Sequence, residues 1–180
     1  MLRSVLVLMV VLVSLPAFAE RTSRARVSAN GTFSVALVEK SPGQCKLEVS
    51  KESGPTWAVE QCVGGPDDLY FVSNDGERVW VIYPLAHKGT KKLPGKKFKK
   101  VPAWANTLVA VQVNRQGERV QEKRLLDFVS QKELPEVRQM EKHLKWLEGL
   151  VGVPGKGPRL TDAGRIEFET VGGTSHQLTF

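Results

Sequence analysis

Seven lysines fall within the thirteen residues from Lys88 to Lys100, and this run is the most prominent local feature of the chain. Pro94, Gly95 and Pro102 disfavour a helix there, so we predict a long polar loop over residues 86–103. Such a basic loop can bind phosphates or an anionic membrane surface, and a nearby tryptophan adds an aromatic side chain. A solvated loop without a partner is the other interpretation. The candidate residues for binding an anionic surface are Lys88, Lys91, Lys92, Lys96, Lys97, Lys99, Lys100 and Trp104.

The other side chains that could do chemistry are scattered along the chain. His87, His143 and His176 lie far apart in sequence, and Asp67 and Asp68 stand among turn-forming residues. Neither group has the spacing of a familiar metal-binding loop, so we predict no metal site and no cofactor. An enzyme would need a histidine and the two aspartates within hydrogen-bond reach in one cleft. The motifs of serine hydrolases, zinc proteases and nucleotide-binding enzymes are absent, which favours binding or a structural role over catalysis.

Residues 1–19 have the three parts of a secretion signal. Arg3 supplies the positive start, residues 5–15 are almost wholly apolar, and Ala17-Phe18-Ala19 forms a small-x-small cleavage site. The apolar run is shorter than the about 20 residues of a transmembrane helix, so we expect no membrane span in the mature chain. An uncleaved N-terminal anchor is the alternative. The pattern predicts export to the periplasm or the outer cell envelope.

Length and charge limit the kinds of partner. Removal of the signal leaves 161 residues, enough for a single domain over residues 20–180 with its own core. The loss of Arg3 lowers the formal net charge from +7 to +6. An exported basic protein encounters anionic lipids, lipopolysaccharide, acidic glycans or other envelope proteins, and we expect no nucleic-acid partner.

The two cysteines, Cys45 and Cys62, predict a disulfide, since exported proteins fold in an oxidising compartment. A regular hairpin that places these cysteines opposite each other turns Trp57 away from the face of Leu47. The apolar alternation instead places Trp57 and Leu47 on one face, and both patterns cannot hold in a regular ladder. A β-bulge near residues 60–61 would reconcile them.

Alternating apolar residues predict strands over most of the chain. Residues 45–49 alternate as a half-buried strand does, and residues 79–83 are apolar on both faces, which is typical of a central strand. Ser41-Pro42-Gly43 and Ser73-Asn74-Asp75-Gly76 have the chemistry of tight turns. The pattern predicts a mainly β protein built as an antiparallel sheet or sandwich.

One helix is predicted in the C-terminal half, near residues 135–149, which makes the fold class α+β. Apolar residues recur there at steps of three and four, as on one face of a helix. Pro135 suits the first turn and Gly149 suits the end. The members of the stripe are Val137, Met140, Leu144, Leu147 and Val151.

A family resemblance covers about the first half of the mature chain. It runs from Ser28-Ala29-Asn30-Gly31 through Cys45 and Trp57 to the segment from Asp67 to Gly76. These residues resemble small exported cell-envelope proteins of myxobacteria, some of which belong to the gliding-motility machinery. The resemblance implies a place in a multi-protein envelope assembly, and it assigns no catalytic or binding residue.

Together these features favour a non-enzymatic envelope protein that acts as a binding or scaffold module. Its partner would be another envelope protein, a glycan or an anionic surface. One alternative is an exported enzyme of an unrecognised type. The other is a protein that binds anionic lipid or lipopolysaccharide through the lysine-rich loop.

Overall fold

The computed structural model describes residues 19–92, 101–149 and 157–180, so nearly all of the predicted secretion signal lies outside it. Within the described residues, the strands form four antiparallel sheets, which confirms the mainly β prediction. The strands are β1 (Arg21–Thr22), β2 (Arg26–Val27), β3 (Ser34–Ser41), β4 (Gln44–Lys51), β5 (Gly54–Val59), β6 (Leu69–Val72), β7 (Arg78–Ile82), β8 (Leu85–His87), β9 (Leu108–Asn114), β10 (Arg119–Arg124), β11 (Arg138–Gln139), β12 (His143–Lys145), β13 (Arg159–Leu160), β14 (Ile166–Glu169) and β15 (Ser175–Leu178).

The N-terminal sheet comprises β1 to β5, in the order β1-β3-β4-β5 with β2 also paired to β3. Side chains alternate along its strands, so that Leu37 and Leu47, which lie opposite each other, are both buried. Lys46 and Glu48 point to the other face and form an ion pair there. This sheet therefore has one apolar face to bury against a neighbour.

The predicted disulfide between Cys45 and Cys62 is present, with Cα atoms 4.7 Å apart. The hairpin of β4 and β5 pairs in the register that the apolar alternation predicts, with Val49 opposite Trp57. The irregularity that permits this register falls between Val49 and Ser50, near the turn, and not at residues 60–61 as predicted. This register of β4 and β5 buries the Trp57 side chain. Cys62 lies beyond the end of β5 and bonds to Cys45 from there.

The central sheet, in the order β10-β9-β7-β6, is apolar on both faces of its inner strands. Along β7, Val79 and Val81 pack in a cluster with the N-terminal sheet, whereas Trp80 and Ile82 pack in a second cluster on the opposite side. The prediction of a central strand over residues 79–83 is thus confirmed, since the sheet forms the middle of three layers.

Two small sheets supply the third layer. The β8 sheet, in the order β11-β12-β8, and the C-terminal sheet of β13, β14 and β15 contribute side chains to the cluster around Trp80. In this cluster Phe128 stacks on Trp146 and Phe168 meets both rings edge-on, with ring centroids 5.1–5.6 Å apart. Trp80 Nε1 donates to the carbonyl of Thr179 over 2.9 Å, which ties the C-terminal sheet to the central one.

The predicted helix near residues 135–149 is wrong. Leu134–Glu136 forms one 3-10 turn, and β11 and β12 follow it. Met140, a member of the predicted stripe, is 45% exposed, whereas Leu144 and Trp146 are buried at the two-residue spacing of a strand. The backbone N–H and C=O groups of β12 form hydrogen bonds with β8, and these take the place of the bonds that a helix would make within the segment. Val151 lies outside the described residues.

A pair of related turns connects the N-terminal and central sheets. Asn30 donates from its backbone to Asn74 Oδ1 over 3.0 Å and from its side chain to the carbonyl of Asn74 over 2.9 Å. Gly76 has a φ of +75°, and its carbonyl accepts a 2.6 Å hydrogen bond from Trp57 Nε1. The Phe33 ring lies against the Cα of Gly76, where any side chain would overlap it.

None of the helices in the described ranges is long and apolar enough to cross a bilayer.

Candidate functional site

A cleft of about 810 Å³ opens where the central sheet meets the β8 sheet. Its walls come from the loop after the disulfide, from the turn between β7 and β8, and from β12 with the residues that follow it. Most of the lining is apolar. The apolar side chains are those of Tyr83, Pro84, Leu85, Leu108, Leu147 and Pro158.

Backbone pairing holds these walls in place. Tyr83 donates its N–H to the carbonyl of Val109 over 2.9 Å, and its own carbonyl accepts a 2.8 Å bond from Trp146 Nε1. Leu147 forms a bridge with Thr170 of the C-terminal sheet. The cleft is therefore framed by backbone contacts that join three sheets.

Two histidines meet at the cleft. β12 and β8 run antiparallel with His143 directly opposite His87, and both side chains line the cleft. Their Nε2 atoms are 3.3 Å apart and the ring centroids 4.2 Å apart. One imidazole donates to the other through these nitrogens. The sequence placed these residues 56 positions apart, so only the strand pairing brings them together.

The two aspartates line the same cleft, but the enzyme hypothesis also required hydrogen-bond reach of a histidine, and in the described residues they are bonded to Gly65 and Arg21 instead. Asp68 Oδ2 accepts a 2.8 Å hydrogen bond from the backbone N–H of Gly65. Burial raises the pKa of Asp68 to about 6, and the hydrogen bond from Gly65 only partly offsets this. Burial and the nearby Asp68 carboxylate raise the pKa of Tyr83 to about 12. Asp67 points outward and lies 2.9 Å from the guanidinium of Arg21.

Replacing Asp68 with asparagine should make the stability of the protein less dependent on pH. The folded protein holds the Asp68 proton up to a pKa of about 6, whereas the unfolded chain releases it near 3.8, so ionisation progressively opposes folding across this interval. Between pH 5 and pH 8, the wild type should lose about 1 kcal/mol of unfolding free energy relative to Asp68→Asn. Urea denaturation of both proteins at both pH values measures this difference. Equal pH dependence in the two proteins would contradict it.

The histidines, the aspartates and Lys145 of the cleft are groups that can bind a ligand and transfer protons. In the described part of the chain, Asp68 makes its hydrogen bond to Gly65 and not to a histidine. No serine, threonine or cysteine is among the described residues that line the cleft. The described lining thus has no hydroxyl of serine or threonine and no thiol beside a histidine base, which is one common arrangement for covalent catalysis.

The predicted basic loop begins at this cleft. Lys88 follows His87 directly and is half-buried, and Lys91 and Lys92 are exposed. Trp104 is half-buried and packs against the cluster around Trp80. Four of the predicted anion-binding lysines, Lys96, Lys97, Lys99 and Lys100, lie outside the described residues.

His176 lies away from the cleft. It packs against Phe128 and Phe168, with ring centroids 5.4 Å and 5.7 Å away. Burial lowers its pKa, and the Glu133 carboxylate only partly opposes this. The structure thus brings together two of the three histidines and separates the third. The apolar cleft walls themselves were not predicted, because Leu85, Leu108 and Leu147 come from three different strands or bridges.

Comparison of the chain with protein-family models, with curated proteins and with solved structures gives no match.

Proposed function

We propose that the protein is an exported, non-enzymatic binding module of the cell envelope, and that its cleft takes an amphipathic molecule with an anionic head group. The observation that carries this proposal is the apolar cleft of about 810 Å³ with basic groups at its edge. Export is supported by the signal-like residues 1–19 and by the disulfide between Cys45 and Cys62.

The size and lining of the cleft support a small-molecule ligand. Binding sites for small molecules are typically concave, about 300–1,000 Å³, and mostly apolar with a few polar groups. Leu85 is 50% exposed at the cleft, although large apolar side chains gain by leaving water. An apolar chain resting on Leu85, Leu108 and Leu147 would cover this surface.

The charges around the cleft support an anionic head group. Lys145 lines the cleft, and the basic loop begins at Lys88, next to the lining residue His87. Of the two acidic groups, Asp67 is paired with Arg21, and Asp68, whose pKa burial raises to about 6, still carries its negative charge at neutral pH. Lys145 and the basic loop would therefore attract an anion at the cleft mouth, in keeping with the formal net charge of +6 after loss of Arg3 with the signal, whereas the ionised Asp68 would oppose it.

The proposal includes two further roles, membership of an envelope assembly and docking on an anionic surface. The resemblance to envelope proteins of myxobacteria suggests that the module works within a multi-protein assembly such as the gliding-motility machinery. The lysine-rich loop would then dock the protein on anionic lipid or lipopolysaccharide, so that a lipid-like ligand could enter the adjacent cleft. Docking of this kind weakens with added salt, because mobile ions screen exposed charges.

An acid–base enzyme is the second candidate. It is favoured by one specific observation, the presence of His87, His143 and an Asp68 carboxyl with a pKa of about 6 in a single cleft. A group that titrates near the working pH is suited to general acid–base catalysis. Turnover of a bound ligand, abolished in Asp68→Asn while binding persists, would establish this candidate over the binding module.

Direct binding of a defined probe tests the proposal. We expect the protein to bind dodecyl phosphate, below its micelle concentration, more tightly than dodecyltrimethylammonium, which has the same tail and the opposite charge. Leu85→Ser should weaken dodecyl phosphate binding about tenfold, since a buried leucine contributes about 1.5–3 kcal/mol. Lys145→Gln should weaken it a few-fold, with a larger effect at low salt. Isothermal titration calorimetry measures each affinity.

Two variants on β10 serve as matched controls. Val120→Ser removes a comparably exposed apolar side chain, and Lys123→Gln removes a lysine, both from a strand outside the cleft. Neither should change the affinity. Equal binding of both probes, or unchanged binding by Leu85→Ser, would refute the proposed site.

A further inference from the structure

The geometry points to a metal site: His87 and His143 together bind a divalent transition metal ion in tetrahedral coordination, of which zinc is the type. The two imidazoles are cross-strand neighbours, and their Nε2 atoms are 3.3 Å apart. This site goes beyond the proposed ligand binding, since it does not depend on the apolar part of the cleft.

The separation of the two nitrogens matches what one ion would impose. Zinc binds imidazole nitrogen at about 2.0–2.1 Å, so two such nitrogens at the tetrahedral angle lie about 3.3–3.4 Å apart. The observed Nε2–Nε2 distance of 3.3 Å, which is that of the hydrogen bond between the two rings, is also close to this value, and the ion would replace the shared proton. The rings are inclined at 47°, with centroids 4.2 Å apart, so they must turn for both lone pairs to meet at one ion. His87 is exposed and has the space to do so.

The backbone holds the two ligands at this spacing. The pairing of His143 with His87 belongs to a three-residue ladder that continues through Leu144 opposite Ala86. Lys88 donates its N–H to the carbonyl of Lys142 over 3.0 Å, which extends the same pairing past the histidines. Both ligands therefore stand on paired strands rather than on separate loops, and this pre-positions them for one ion.

The surroundings predict a site of modest affinity with open positions. In the described residues, no group of three or more His, Cys, Asp or Glu side chains is arranged to hold a metal. Water would therefore complete the coordination shell. The positive charge of Lys145 opposes a cation in this cleft, and the Asp67 and Asp68 carboxylates favour one.

The composition of the chain makes the test specific. The protein has three histidines, and both of its cysteines are joined in the disulfide. His176 is the third histidine and lies away from the cleft, so it provides a control of the same residue type.

The experiment is a titration of the purified, untagged protein with Zn²⁺ by calorimetry and with Co²⁺ by visible absorbance. We expect one ion per chain, and a visible spectrum of bound Co²⁺ that differs from that of the aqueous ion. His87→Ala and His143→Ala should each raise the dissociation constant on the order of tenfold or more, because each removes one of two side-chain ligands. His176→Gln should bind as the wild type does.

The wild-type protein supplies a readout that does not depend on the folding of any variant. Zn²⁺ should shift the ring-proton NMR signals of two histidines and leave those of the third unchanged. An absence of binding to the wild type, wild-type affinity in either alanine variant, or a zinc-induced shift of all three or only one histidine would overturn the metal site.

Discussion

Replacing Cys45 and Cys62 together with alanine should lower the free energy of unfolding by about 3 kcal/mol, because the disulfide closes a loop across a sequence separation of 17 and restricts the unfolded chain. For a domain of this size, this corresponds to a fall in Tm of about 6–12 °C. Cys45 is buried in the cluster between the N-terminal and central sheets, so the effect should include some loss of packing. Urea denaturation and thermal melting of the purified protein measure both quantities.

Reduction of the wild type provides the matched control, since it opens the same loop without changing the composition. The reduced wild type and the double-alanine variant should be destabilised to a similar extent. An unchanged denaturation midpoint in both would mean that the disulfide does not support the hairpin of β4 and β5 in the way described.

Gly76→Ala should be among the most damaging single-methyl additions in the protein. With a φ of +75°, an alanine costs about 1 kcal/mol, and its Cβ would overlap the Phe33 ring. Overpacking of a core typically adds about 1–3 kcal/mol. The displaced ring or backbone would also disturb the 2.6 Å bond from Trp57 Nε1 to the Gly76 carbonyl. We expect a total loss of about 2–4 kcal/mol of unfolding free energy.

Gly31→Ala separates the two causes. Gly31 has a φ of +73°, close to that of Gly76, and an added Cβ would meet open space. It should cost only the backbone strain, about 1 kcal/mol. Denaturation of both variants under the same conditions gives the difference. Equal losses would show that the contact between Phe33 and Gly76 does not constrain the junction of the two sheets.

The strands of the fold were predictable because burial alternates along them. Leu37 and Leu47 alternate with polar neighbours, as expected for a sheet with one solvated face. Residues 79–83 were recognisable as central because apolar side chains occupy consecutive positions. Sequence patterns of this kind indicate which side chains are buried, and in this fold those side chains lie between the three layers.

The C-terminal half was harder to predict because the same apolar residues fit two periods. Leu144 and Leu147 are spaced as on a helix, while Leu144 and Trp146 are spaced as on a strand, and all three are buried. Pairing with β8, a strand more than fifty residues earlier, decided between them. A local pattern contains no information on such a distant partner.

Only some of the residues of the candidate site were predictable from the sequence, and their arrangement was not. The enzyme hypothesis required His87, His143 or His176 to meet Asp67 and Asp68, and the structure places the first two histidines and both aspartates on one cleft, with His176 elsewhere. Their meeting depends on the β8–β12 register. The apolar walls could not be foreseen, because the exposed Leu85 looks in sequence like any other strand residue.

Binding of an amphipathic anion in the cleft can be observed in ¹H–¹⁵N NMR spectra of the protein while dodecyl phosphate is added. We expect shift changes to concentrate at the backbone of the cleft, at Gly64, Gly65, Tyr83, Leu85, His87, Lys145 and Leu147. Changes confined to the lysine-rich residues 88–100, or an absence of changes at the cleft, would contradict it.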